Sequence, residues 1–187
     1  MLFVDTTTHA RYEVKKSTFT SYLLPYSHFQ DYHDKLKKEH PKASHIVWAF
    51  RRLNEHKQII EGSNDDGEPK GVAGTPTLNV LRGEDLIDTA LLTVRYFGGT
   101  KLGTGGMVRA YTKSAKEAIS QSNLLPYIHK EPFTFTTPYA LINRYEHYCN
   151  TQGILYHDRE FKEQSVRWSL LLSQAEKESF EHFIKNL

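Results

Sequence analysis

The sequence has almost no cysteine, since Cys149 is the single one among 187 residues. One cysteine excludes an intramolecular disulfide framework and any metal site built from a cluster of cysteines. Long apolar runs are also missing, because none reaches the roughly 20 residues that a membrane-spanning helix needs. The start of the chain, MLFVDTTTHARYEVKK, lacks the apolar core of a signal peptide. These absences predict a cytoplasmic protein with no membrane partner.

A large net charge is absent as well. The 24 basic and 22 acidic residues leave a formal net charge of +2, so the whole molecule is not a polybasic nucleic-acid binder. A nucleic-acid site would have to come from local clustering of charge. Residues 89–116 show such a cluster, because this stretch contains no aspartate or glutamate. Its basic residues are Arg95, Lys101, Arg109, Lys113 and Lys116.

The same stretch predicts a strand, a glycine loop and a helix. Residues 90–97 form a largely apolar run bounded by glycine, which is typical of a buried strand. The glycines that follow let a backbone turn sharply and approach a ligand closely. The helix predicted from Met107 onward would present free N–H groups and the positive end of its dipole to a phosphate. The residues predicted to bind phosphate or another ligand are Arg95, Gly98, Gly99, Lys101, Gly103, Gly105, Gly106, Arg109 and Lys113.

The glycine loop matches neither of the standard nucleotide fingerprints. Lys101 precedes Gly103, whereas the lysine of a Walker A loop follows its second glycine. Val108 stands where the dinucleotide pattern G-x-G-x-x-G needs its last glycine. An architectural explanation therefore stays open, in which the glycines only permit close packing of the strand and the helix.

A second candidate site lies in residues 62–76, which are dense in turn-forming residues. Its carboxylates are the oxygen ligands that Mg²⁺ prefers. The acidic candidates for a metal site are Asp65, Asp66 and Glu68. Two alternatives are an ordinary surface turn and ion pairs between these acids and Arg95 or Arg109. The other candidate residues are His45, for which a structural role is the commoner one, and Lys70.

The remaining patterns predict two domains. Strands are predicted at 12–16, 18–24, 44–53 and 57–61, and helices at 28–40 and 71–81. Beyond residue 131 the predicted order is strand, helix, strand, strand, helix, a split β-α-β pattern without its last strand. Ten of the eleven glycines precede residue 107, and prolines are spaced across the join. The predicted domains are residues 1–127 and 128–187.

Three motifs resemble the YigZ/IMPACT family: SHIVWAF (44–50), DDGEPKGVAGTP (65–76) and VRYFGGTKLGTGGMVRAY (94–111). The resemblance covers residues from about 15 to 122 and, more loosely, the tail. It implies an α+β protein with two domains. The N-terminal domain would be similar to domain two of a small-subunit ribosomal protein, of the left-handed βαβ type. The C-terminal domain would be ferredoxin-like and would lack its last strand.

The resemblance also implies a role in translation, since eukaryotic members of the family regulate translation through a protein partner of a stress kinase. The first hypothesis is a cytosolic binding protein that contacts RNA or a ribosome-associated partner, with a ring such as Tyr96 or Tyr111 stacked on a base. The alternative is a metal-dependent enzyme, with Mg²⁺ as a possible cofactor, that acts on a phosphorylated or nucleotide substrate. Small-molecule kinases that share the N-terminal fold keep this alternative open, although fold likeness alone does not establish function.

Overall fold

The computed structural model describes residues 1–154 and 156–187 of the chain. These residues form two compact units, Met1–Tyr127 and Ile128–Leu187. The elements of the first unit are β1 (Leu2–Phe3), β2 (Thr8–Val14), β3 (Ser17–Pro25), α1 (Phe29–Glu39), β4 (His45–Leu53), β5 (Ile59–Asn64), α2 (Gly74–Gly83), β6 (Thr89–Tyr96), α3 (Gly103–Ser120) and β7 (Leu125–Pro126). Every strand and helix predicted for this unit is present, with its boundaries shifted by a few residues.

Strand β6 is the centre of a five-stranded antiparallel sheet with the order β2-β3-β6-β4-β5. All of its residues except the last, Tyr96, are buried, which fits the apolar run in the sequence. Strands β3 and β4 each run antiparallel to β6, so they are parallel to one another. The connection from β3 through α1 to β4 therefore crosses over the central strand.

Both faces of this sheet are covered by helices. Alternate side chains of a strand point to opposite faces, and Leu92 and Val94 of β6 pack with Leu36 of α1. Leu91, which precedes them and points to the opposite face, packs instead with residues of α2 and α3, such as Leu81. The unit thus has three layers, with α1 on one face of the sheet and α2 and α3 on the other. The predicted α+β class is confirmed.

A small two-stranded sheet of β1 and β7 was not among the predicted elements. The N–H of Leu2 donates to the carbonyl of Asp85 over 2.9 Å, and its carbonyl accepts from Ile87 over 2.8 Å. The start of the chain is therefore bound both to the segment after α2 and to the segment after α3. Strands of two residues are too short for any alternation of polar and apolar residues to reveal them.

The second unit contains β8 (Glu131–Pro138), α4 (Ile142–Gln152), β9 (Tyr156–Phe161), β10 (Ser165–Leu172) and α5 (Gln174–Lys185). Strand β10 lies between β8 and β9 and is antiparallel to both, which is the order of a split β-α-β unit. The predicted ferredoxin-like arrangement of three strands is confirmed. The indole N–H of Trp168, in the core of this unit, donates to Thr137 Oγ1 over 2.9 Å. In the part of the chain that the structure describes, no helix combines the length and apolarity needed to cross a membrane.

One predicted boundary is wrong and changes the candidate site. Helix α3 begins at Gly103, so Gly103, Gly105 and Gly106 lie in its first turn and not in a loop. The connection between β6 and α3 is residues 97–102, which we call the glycine loop from here on. Glycine has a low helix propensity, but the apolar face of α3 packs on the sheet and overrides that preference.

Candidate functional site

The acidic loop, residues 65–70, joins β5 to α2, and its first carboxylate binds the beginning of that helix. Asp65 Oδ1 accepts hydrogen bonds from the N–H groups of Ala73 and Gly74, over 3.0 and 2.8 Å. Its Oδ2 accepts from the N–H of Gly71 over 2.8 Å. The first N–H groups of a helix have no partner within the helix. Asp65 therefore holds α2 and the loop together.

Asp66 attaches the same loop to β4. Its Oδ2 accepts from the N–H of Ile46 over 2.6 Å, and its backbone carbonyl accepts from His45 Nδ1 over 2.7 Å. Asp66 and Gly67 have φ angles of 46° and 85°, in the left-handed region that an Asp-Gly pair tolerates. The Asp-Gly pair thus forms the turn that brings the acidic loop against the sheet.

Glu68 is the acid that points into the unit, with a side chain only 3% exposed. Its Oε1 pairs with Nη1 of Arg95, whose side chain is 6% exposed, and accepts from the Tyr111 hydroxyl over 2.7 Å. A buried ion pair offsets the loss of water only when further hydrogen bonds satisfy the charged atoms. One carboxylate therefore joins the acidic loop to β6 and to α3.

Aromatic rings enclose the Arg95 guanidinium. Its Cζ lies 5.4 Å from the centroid of the Phe19 ring and 5.8 Å from that of the Phe97 ring, within the range of cation–π contacts. Its Nε has no hydrogen-bond partner among the residues that the structure describes. The ion-pair alternative is the arrangement that the structure shows. A phosphate contact from Arg95 does not fit it, because the guanidinium is buried and bound to Glu68.

His45 lies at the margin of this network, with a side chain 24% exposed. Because a carbonyl oxygen only accepts, the bond to Asp66 places a proton on Nδ1 of His45. Nε2 then faces Glu68 Oε2 at 3.8 Å, where a second proton would complete an ion pair. The structure thus brings His45 together with Asp66, Glu68 and Arg95, whereas Lys70 is exposed at the end of the acidic loop.

Tyr111 is fully buried, and its ring meets the Phe19 ring edge to face at a centroid distance of 5.1 Å. Burial, together with the charge of Glu68, raises the pKa of the Tyr111 phenol far above its ordinary value. The phenol is therefore a hydrogen-bond donor to Glu68. The prediction that Tyr111 stacks on a base is wrong, because the ring does not reach the surface. Tyr96 is 37% exposed, with its hydroxyl 2.9 Å from His40 Nδ1.

The predicted metal ligands do not converge. Within residues 1–154 and 156–187, no three His, Cys, Asp or Glu side chains are grouped so as to hold a metal ion. The carboxylates of Asp65, Asp66 and Glu68 bind a helix N-terminus, a strand and Arg95, and each of these partners competes with a cation for the oxygens. The Mg²⁺ site stays a prediction that this geometry does not favour.

The other predicted cations lie outside this network. We call Lys101, Arg109, Lys113 and Lys116 the basic surface, and all four are exposed. The last three follow one another at i, i+4 and i+7, which places them along one side of α3. Of these four, only Lys113 has an ion pair with a described residue, to Glu117 at 3.5 Å. Most of the charge of the basic surface is therefore not neutralised by carboxylates.

Gly98 brings the glycine loop against the turn between β2 and β3. A Cβ atom at Gly98 would overlap the backbone carbonyl of Lys16, and its N–H donates to Ser17 Oγ over 3.1 Å. Only glycine permits so close an approach of two backbones. Lys15 and Lys16 are both exposed in that turn, so they stand beside the glycine loop.

The glycines at and near the start of α3 differ in what they do. Gly99 and Gly103 have φ angles of 85° and 71°, so their backbone conformation favours glycine. Gly105 has a negative φ, and a Cβ atom there would meet nothing closer than Nη1 of Arg109, at 3.5 Å. Neither conformation nor packing requires a glycine at 105. The architectural explanation therefore accounts for some of these glycines but not for this one.

Phe97 is a site residue that the sequence patterns misplaced. They put it at the end of the buried strand, yet it is 49% exposed and follows β6 in the glycine loop. Its N–H donates to Ser44 Oγ over 3.1 Å, a bond between residues distant in the sequence. The one local signal was the Gly98-Gly99 pair that follows, because glycines mark the end of a strand.

Removing the charge of Glu68 should strongly destabilise the first unit. In Glu68→Gln the Arg95 guanidinium stays buried without a counter-charge, which should lower the free energy of unfolding by about 3–5 kcal/mol. The double variant Glu68→Gln/Arg95→Met should recover much of this loss, because no buried charge remains. Urea unfolding of the wild type and these variants measures both effects, with the exposed Lys70→Met as the control. A loss in Glu68→Gln no larger than in the control would contradict this role.

Residues 15–119 match the family model described as the Impact N-terminal domain. The IMPACT family member YvyE of Bacillus subtilis is 32% identical over 178 residues, which cover 93% of this chain and 80% of that protein. An IMPACT family member of Haemophilus influenzae is 35% identical over 140 residues, or 73% of this chain and 68% of that protein. YigZ of Escherichia coli is 33% identical over 148 residues, or 76% and 69%.

A solved structure agrees with the fold. A crystal structure of a hypothetical protein has a TM-score of 0.72 at 26% identity and covers 99% of this chain and 91% of that chain. The structure of the two-domain translational regulator Yih1 matches with a TM-score of 0.38 at 21% identity, over 64% of this chain and 46% of that chain, which is too weak to support a conclusion. The family model and the curated relatives are decisive: the chain belongs to the IMPACT family.

Proposed function

We propose that the protein is a binding module that contacts RNA through its basic surface and modulates translation. The family resemblance makes translation the expected setting, and a ribosome-associated protein is the other partner that this setting implies. The exposed cations favour the partner that carries a regular series of negative charges. RNA is that partner, since phosphate contacts supply most of the affinity of sequence-independent nucleic-acid binding.

The observation that carries this proposal is that the carboxylates of the acidic loop are bound within the first unit, whereas the cations of the basic surface face solvent. The carboxylates of Asp65, Asp66 and Glu68 are bound to backbone N–H groups and to Arg95. The cations of the basic surface remain exposed. A formal net charge of +2 attracts polyanions only weakly, so association would depend on this local surface.

The beginning of α3 adds backbone donors to the same surface. The first four N–H groups of a helix have no partner within the helix. Leu102, which precedes α3, makes no side-chain cap, and the first turn contains no acidic residue. The positive end of the helix dipole therefore lies next to Lys101 without a competing carboxylate. Gly105 in this turn is exposed and has no side chain, which leaves its backbone accessible to a phosphate.

The enzyme alternative gains no support from the geometry. A metal-dependent reaction on a phosphorylated or nucleotide substrate would need carboxylates with free oxygens near the substrate phosphate. The carboxylates of the acidic loop are bound to other groups, and Glu68 is buried against Arg95. For this reason we do not adopt it as a second function.

Binding to RNA should weaken steeply as salt rises. The affinity for a labelled single-stranded RNA, measured by fluorescence anisotropy in increasing KCl, should fall by roughly 0.7 log units per phosphate contact for each decade of salt. Lys101→Ala and Arg109→Ala should each weaken binding and reduce the slope by about one such contact.

The matched control is Lys38→Ala. Lys38 is an exposed lysine of α1, on the other face of the sheet, and its loss should leave the affinity unchanged. Binding that does not respond to salt, or an equal loss in Lys38→Ala, would contradict the proposal. Binding to a ribosome-associated protein without any binding to RNA would contradict RNA as the partner.

Replacing Gly105 by alanine should separate stability from binding. Gly105→Ala should raise the free energy of unfolding by about 0.5–1 kcal/mol, because alanine favours a helix and its methyl group has room. The same methyl group would crowd a phosphate at the first turn of α3 and weaken RNA binding. Urea unfolding and anisotropy measure the two effects.

The control is Gly83→Ala at the end of α2, where a Cβ atom would meet no heavy atom within 4 Å. This variant should leave RNA binding unchanged. A Gly105→Ala protein that is more stable and binds RNA as tightly as the wild type would show that no phosphate approaches this turn.

A further inference from the structure

Phe97 is a large apolar ring that the fold leaves partly in water. The seven residues before Tyr96 in β6 are all buried, yet Phe97 is 49% exposed. A single exposed apolar side chain is common on protein surfaces and means little by itself. Phe97 differs from such a residue in how it is held and in what surrounds it.

The backbone and the ring of Phe97 are both held in place. Its N–H donates to Ser44 Oγ over 3.1 Å, and the next residue, Gly98, packs directly on the backbone of Lys16. The ring lies against the Arg95 guanidinium, whose Cζ is 5.8 Å from the ring centroid. Since Arg95 is itself bound to Glu68, the support beneath the ring is rigid. A ring held before binding loses little conformational freedom when a partner stacks on it.

The surroundings of Phe97 are cationic. Lys101 belongs to the same loop, and Lys15 and Lys16 lie in the turn that Gly98 contacts. Another exposed phenylalanine, Phe161 at 61%, lies in the second unit, where it stacks on Tyr139. Phe97 is therefore an exposed ring placed beside the cations of the glycine loop.

We propose that Phe97 is a stacking platform for an unpaired base, so that the ligand of the basic surface is single-stranded RNA. This inference rests on the proposed function and adds the class of RNA. In a duplex the bases are stacked on one another and their faces are covered, whereas an unpaired base has a free face for an aromatic ring. Aromatic rings combined with a cationic groove are the usual means of binding single strands without sequence preference.

The test compares Phe97→Leu with Phe97→Trp, using one single-stranded RNA and one blunt-ended RNA duplex of the same length. Leucine keeps the apolar volume but removes the aromatic face, so Phe97→Leu should weaken binding of the single strand by about 5- to 150-fold. The salt slope and the affinity for the duplex should not change, because the phosphate contacts remain. Phe97→Trp should bind the single strand at least as tightly as the wild type. Phe161→Leu is the matched control and should bind as the wild type does.

The outcomes distinguish a failure of the stacking role of Phe97 from a failure of the proposed function. If Phe97→Leu binds the single strand as the wild type does while Lys101→Ala weakens it, the stacking role is overturned and the proposed function stands. If Phe97→Leu loses the duplex equally, or if Phe97→Trp binds no better than Phe97→Leu, the role is also overturned. If neither RNA binds the wild-type protein, both proposals fail.

Discussion

The buried ion pair between Glu68 and Arg95 is the constraint on which the rest of the first unit depends. Removing two charges from water is offset only when further hydrogen bonds support their pairing. Glu68 receives such bonds from both Arg95 and Tyr111, so the acidic loop, β6 and α3 are held where the carboxylate reaches both. The bonds of Asp65 and Asp66 to the backbone serve the same arrangement, because they fix the loop that carries Glu68. A motif whose composition suggests a metal site is, in the structure, a hydrogen-bonded connection between four elements, α2, β4, β6 and α3.

This connection also decides which charges remain for a partner. Arg95 is occupied inside the unit, whereas the basic surface and the lysines of the β2–β3 turn face solvent. The glycine loop lies between the buried Arg95 and these exposed cations. Gly98 brings its backbone against that turn, and Phe97 covers the Arg95 guanidinium from the outside. The buried network thus supports the glycine loop and the exposed cations around it. A substitution in the network should therefore also alter this surface.

Much of the fold was predictable because it follows from local patterns. The apolar run of β6, the helical spacing in α3 and the βαββα order of the second unit each predicted the observed element. The start of α3 was not predictable, since glycine disfavours a helix and only the packing of the helix on the sheet overcomes that. The pairing of Glu68 was open for another reason: Arg95 lies 27 positions further along the chain, so composition alone leaves a metal ion, a surface turn and an ion pair as alternatives. Tyr111 is buried on the same face of α3 as Ser114 and Ala118, at the three- and four-residue spacing that is typical of a face packed on a sheet.

The central claim is that the buried charges hold the first unit together, whereas the exposed cations of the basic surface bind RNA. Hydrogen–deuterium exchange with and without a saturating single-stranded RNA tests this claim most directly. RNA should slow amide exchange in residues 97–116 and in the β2–β3 turn. Exchange in the acidic loop, residues 65–70, should stay the same, because its carboxylates are bound within the protein. Slower exchange in the acidic loop, with residues 97–116 unchanged, would contradict this account.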